Sequence, residues 1–120
     1  MIKTVLCIAL TGLLIGCATT LSPRDEISRA ELAVRKADES LASKYAPLDL
    51  VKAREKLDKA QAAARDNDTW PEAYRLALQA RVDAQLAEEK ARSAQAEERA
   101  DEMRRSIESL KAETERSERR

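Results

Sequence analysis

The sequence predicts an all-α fold: a three-helix bundle or helical hairpin array with a long, coiled-coil-like C-terminal helix projecting from it. Three observations carry that prediction. Ala, Glu, Lys, Leu and Arg supply about two-thirds of residues 23–120, the mix expected of long helices or coiled coils. Breakers are few and ordered, since Pro23, Pro47 and Pro71 are evenly spaced, both glycines (Gly12 and Gly16) precede them, and neither residue type occurs after Pro71. Between these breakers apolar residues recur at steps of three and four, the period of one helical face.

The N-terminal segment comes first. Lys3 precedes an uncharged run from Thr4 to Pro23 whose apolar heart is Val5 to Ile15. A bilayer span needs about 20 apolar residues, so this run suits the hydrophobic region of a secretory signal instead. In place of an Ala-x-Ala cleavage site it ends Leu14-Ile15-Gly16-Cys17. That ending resembles the lipobox of bacterial lipoproteins: a branched apolar pair, a small residue, then Cys. The resemblance implies cleavage between Gly16 and Cys17, removal of residues 1–16 as a signal peptide, a diacylglyceryl group on the Cys17 thiol and acylation of its new amino group. Residues 17–22 are then a lipidated linker. Cys7 is a small hydrophobe lost with the leader, which leaves no free thiol for a disulfide, a nucleophile or a thiolate metal site. Each buried methylene of an acyl chain contributes about 0.8 kcal/mol, so three chains hold firmly. In that family Asp directly after the Cys favours the inner membrane. Ala18 stands there, which implies an outer-membrane anchor facing the periplasm.

Helices are expected near 23–44, 47–66 and 71–118. Each proline opens one, because proline fits a first turn. Ser22 with Asp25 and Thr69 with Glu72 resemble capping boxes, and Tyr45-Ala46-Pro47 and Asp66 to Trp70 read as turns. The first helix carries one apolar stripe, Ile27, Ala30, Val34, Ala37 and Leu41; the second carries Leu50, Ala53, Leu57, Ala60 and Ala64. The third carries two. Ala73, Leu76, Ala77, Ala80, Ala84, Ala87, Ala91 and Ala94 form a small-residue face, to which the first two helices are expected to pack closely. About 180° away, Tyr74, Leu78, Val82 and Leu86 begin a face that continues past Glu89 and Ser93 into Ala96, Ala100, Met103, Ile107, Leu110 and Thr114. Residues 23–94 therefore read as an Ala-rich helical bundle and 95–120 as a projecting charged helix. Met103, Ile107 and Leu110 are the candidate partner-binding residues, with coiled-coil spacing.

Surface ion pairs in the favourable acidic-first order are expected at Glu31/Arg35, Glu55/Lys59, Glu88/Arg92, Asp101/Arg105 and Glu115/Arg119, worth a few tenths of a kcal/mol each. Tyr45, Trp70 and Tyr74 sit at turns and helix starts, where they are expected to plug the ends of the bundle.

Tyr45-Ala46-Pro47-Leu48-Asp49-Leu50-Val51-Lys52-Ala53-Arg54-Glu55-Lys56-Leu57-Asp58-Lys59-Ala60, followed by the Ala-rich stretch Glu72 to Ala94, resembles the bacterial lipoproteins classed as domain of unknown function 4398, over about residues 17–96. The resemblance implies an envelope protein. A likeness to the murein-lipoprotein type stops at the C-terminus, because that type joins peptidoglycan through a terminal Lys and this chain ends Arg119-Arg120. That covalent route is not expected.

Chemistry is sparse. Basic and acidic side chains balance at 22 each, and His and Phe are absent. Phosphate cradles need Gly-rich turns, most zinc sites and acid–base pairs use His, and nucleic-acid binders show a basic excess. An enzyme is not expected, nor a metal, a cofactor, a small-molecule substrate or nucleic acid. The expected function is that of a lipid-anchored structural or adaptor lipoprotein of the cell envelope, acting through helix–helix contacts with another copy or an envelope protein. The alternative is a regulatory accessory of a periplasmic enzyme or secretion machine.

Overall fold

The computed structural model describes residues 22–120, so the leader and the cleavage and lipidation residues Gly16 and Cys17 lie outside the described residues. The chain forms α1 (Pro23–Glu39), α2 (Ala42–Tyr45), α3 (Pro47–Ala63), a 3-10 turn (Asn67–Thr69) and α4 (Trp70–Glu118), with no strand among the described residues. Each proline stands in the first turn of a long helix, where its missing N–H costs nothing and its fixed φ already suits the helix. α1 and α3 have 17 residues each and α4 has 49. At 1.5 Å per residue these are rods of about 25 Å and about 73 Å.

The first helix is shorter than its spacing predicts. Leu41 adopts φ 61°, ψ 31°, a left-handed conformation that stops α1 at Glu39 and turns the chain into the single turn of α2. Leu41 was expected in the apolar stripe but is 49% exposed. Its N–H donates to the Asp38 carbonyl, the Ser40 N–H donates to that of Lys36, and the Ser40 hydroxyl donates to that of Ala37. The helix end is thereby satisfied without a glycine. α3 stops at Ala63 rather than 66. The expected capping boxes do not form: neither Ser22 nor Thr69 makes a side-chain cap bond. Instead the Asp66 carboxylate accepts from the Asp68 N–H, and the Thr69 hydroxyl donates to the carbonyls of Ala63 and Asp66.

Contacts across the bundle give the helix directions. Glu26 meets Arg81 and Ser40 meets Gln95, so α1 runs parallel to α4. Lys56 meets Asp83 and Asp49 meets Lys90, so α3 runs antiparallel to it. Glu31 with Gln61 and Asp38 with Arg54 close the third side. Both short helices pack on the alanine face of α4 as the sequence predicts: Ala77, Ala80, Ala84, Ala87 and Ala91 are fully buried in one core with Ala30, Ala37, Ala53 and Ala60. The larger buried apolar side chains are few, namely Ile27, Val34, Leu50 and Leu57. Tyr45 and Leu76 pack at the edge of this core, whereas Trp70 is 38% exposed and lies outside the core cluster.

Candidate interaction surface

The two faces of α4 have opposite fates because the bundle holds its rotation. Glu26 is 2% exposed, and its carboxylate receives Arg81 Nε at 2.5 Å and Arg29 Nη1 at 3.5 Å. Lys56 reaches Asp83 at 2.5 Å, and Lys90 reaches Asp49 at 2.6 Å. The Gln95 amide donates to the Ser40 carbonyl at the α1–α2 corner. These partners flank the alanine stripe on both sides, so α4 cannot roll without breaking several of them.

With the alanine face sealed, the opposite face is open. Val82 and Leu86 are 53% and 45% exposed, and Met103, Ile107 and Leu110 are 64%, 45% and 61% exposed. The buried stripe of α4 ends at Ala91, Ala94 and Gln95 are half-buried, and every residue from 96 to 120 is exposed. The three candidate partner-binding residues thus lie on one side of a bare helix. They continue the line of Val82 and Leu86, and no other described element covers them.

The last clasp between bundle and tail is a small polar cluster. Lys44 Nζ donates to the Tyr45 hydroxyl at 2.7 Å, and that hydroxyl donates to the Glu98 carboxylate. The ammonium also lies 4.4 Å from the Tyr45 ring centroid and 3.6 Å from Glu98. Tyr45's hydrogen bond, and then the Lys44 charge, hold the Glu98 carboxyl below the usual carboxylate range. The same tyrosine bond raises Lys44, against a smaller opposing effect of desolvation.

Sequence reasoning missed most of this polar framework. Glu88/Arg92 and Glu115/Arg119 form as expected, but Asp101 takes Arg104 rather than Arg105. Glu88, expected on the solvated surface, is 8% exposed. No group of side chains fit to hold a metal ion occurs among the described residues. The hollow between the end of α1 and α4, lined by Lys36, Glu39, Glu88, Arg92 and Arg99, is open and mixed in charge.

The sequence pattern of a family described as a domain of unknown function, DUF4398, matches residues 25–103. The chain belongs to that family. The matched stretch takes in the bundle, the Tyr45–Glu98 clasp and the tail as far as Met103, so Ile107 and Leu110 lie beyond the family pattern. No curated protein and no solved structure matches the chain.

Proposed function

We propose that this DUF4398 protein is a lipid-anchored structural or adaptor protein of the bacterial cell envelope, held at the outer membrane on the periplasmic side and acting through helix–helix contacts along α4. The observation that carries the reading is the split character of α4: one face is consumed by the bundle, and the other exposes Val82, Leu86, Met103, Ile107 and Leu110 with no covering element among the described residues. A monomer whose purpose ended with its own fold would have no use for Met103, Ile107 and Leu110 in register on a bare helix. The geometry fits an anchor at Cys17. Ser22 enters α1 at the end of the bundle from which α4 starts, so the tail points away from the lipid. No helix among the described residues is long and apolar enough to cross a membrane, and the lipobox-like Leu14-Ile15-Gly16-Cys17 supplies the attachment.

Two measurements test this. Labelled fatty acid should enter the protein, and Cys17→Ser should abolish the label. Affinity capture from envelope extracts should recover bound chains with the full-length protein and lose them when residues 95–120 are removed. Label retained in Cys17→Ser overturns the anchor, and capture that is indifferent to the tail overturns the adaptor role of α4.

A further inference from the structure

The open face of the tail rests, as an interaction site, on the reading above, but its charges say more than that reading does. Seam positions at alternating steps of three and four run from Ser93 to Ser117 through Ala96, Ala100, Met103, Ile107, Leu110 and Thr114. The residues flanking this seam decide how two such helices could pair, because flanking charges set orientation and register in coiled coils.

In a parallel, in-register pair each residue before a seam layer meets the residue five positions on in the other chain. Arg99 then faces Arg104 and Glu113 faces Glu118, each contact occurring twice, against a single favourable type, Arg92 with Glu97. Ala96 and Ala100 would also face themselves and leave thin layers.

The antiparallel arrangement reverses both results. With Met103 opposite Ile107 of the second copy, Leu110 falls opposite Ala100 and Thr114 opposite Ala96, so large residues meet small ones at every such layer. Glu97 then faces Lys111 and Arg99 faces Glu113, each twice by symmetry. The cost is Arg104 against Arg104 at the centre, where Asp101 already holds each guanidinium at 2.7 Å, and Arg92 against Arg120 at the ends, where Glu88 and Glu89 lie beside Arg92. Sliding one heptad in one direction sets Glu97 on Glu118 and Arg104 on Lys111. Sliding in the other gains Glu97 on Arg104 and Arg92 on Glu113, but it sets Lys90 on Lys111 and Asp83 on Glu118 and brings Glu89 into the seam opposite Thr114. Flanking charges and seam residues together therefore select one register of one orientation.

We propose that the occupant of the tail's apolar face is a second copy of this chain, laid antiparallel and centred near Arg105, with Met103 packed on Ile107, Leu110 on Ala100, and Glu97 and Arg99 paired with Lys111 and Glu113. The seam is then eight layers long rather than the two heptads that its larger residues span, and it lies entirely on exposed residues.

Co-expression of full-length copies carrying Ala96→Cys with copies carrying Thr114→Cys tests it in the native membrane. Mild oxidation should yield a peptide containing position 96 disulfide-linked to one containing position 114. Either variant alone should give no link at its engineered position, because its two cysteines would be about 27 Å apart along the axis. Both substitutions fall on exposed positions. Lys111→Glu should lower the yield of that link by on the order of tenfold through its two symmetric contacts, and adding Glu97→Lys should restore it. Links of 96 to 96 or 114 to 114, no link at all, or a reversal that is not rescued would each overturn the proposal. The outcomes separate from those of the reading it rests on. Loss of the anchor with the 96–114 link intact removes only the anchor, whereas retained labelling and capture of a different protein, with no 96–114 link, remove only the antiparallel dimer.

Discussion

Leu41 holds a conformation that costs an L-residue about 1–2 kcal/mol, and its side chain, 49% exposed, recovers little of that through burial. Leu41→Gly should therefore stabilise the bundle by about 0.5–1 kcal/mol, the relief of strain exceeding the extra entropy of an unfolded glycine; a raised thermal midpoint checks it. This helix end was not legible in the sequence. The usual sign is a glycine after the last turn, and here a leucine at the right spacing for the core stripe occupies the position. Tyr45 was legible as a residue at the end of the bundle, but its partner 53 positions away was not. That contact titrates in a known direction. Because the native carboxyl of Glu98 lies below its ordinary value of 4.5, the clasp is fully present above that value and is lost as the pH falls through the depressed one. In Tyr45→Phe the first cause of the depression is gone, so an NMR titration should find the Glu98 carboxyl returned upward. An unchanged titration would place Glu98 free in solvent.

At the scale of the element, α4 is both the most and the least predictable part of the chain. Its start at a proline, its length and its alanine face follow from composition and period, since only a helix makes Ala73 to Ala91 one surface. The core is thin because small residues fill it, and close approach is what makes it work. Ala80→Leu or Ala84→Leu should cost about 1–3 kcal/mol by overpacking, seen as a lower denaturation midpoint. What period alone conceals is a charge inside the stripe. Glu26 occupies a buried position of α1, yet a reading that sorts residues into apolar and polar sends it to the surface, and only the assembled bundle brings Arg81 to it. Removing Arg81 alone leaves a buried carboxylate with the distant Arg29. Arg81→Met should thus be destabilising by about 2–4 kcal/mol, and Arg81→Met combined with Glu26→Gln less so, because the uncompensated charge is what costs most. Additive losses in the double variant would show that the two residues act separately.

Over the whole molecule, stability and exposure are divided along the axis of one helix. Among the described residues, 22–95 contain every buried group and 96–120 are exposed, so the tail adds almost nothing to the folding of the bundle. A single helix held only by ion pairs such as Arg104–Asp101 and Arg119–Glu115 opens easily. Amide exchange should therefore fall into two classes in dilute solution, slow in the bundle segments of α1, α3 and α4 and fast beyond about residue 103. Pairing of tails changes only the second class: protection from 96 to 114 should rise with protein concentration while that of the bundle stays constant, and Ile107→Asp with Leu110→Asp should cancel the rise and leave the bundle's protection intact. An antiparallel pair also fixes the outline of the assembly. Residue 70 of each copy lies about 35 residues from the centre, or roughly 50 Å, so the two bundles stand at opposite ends of a rod about 100 Å long. Copies anchored through Cys17 in one membrane would then lie along its surface rather than stand on it. Lipid-embedded spin labels should accordingly broaden a probe at position 105 in wild type and broaden it far less in the Ile107→Asp, Leu110→Asp variant, whose freed tail points away from the anchor. Equal broadening in the two would mean that pairing does not set the orientation of the rod.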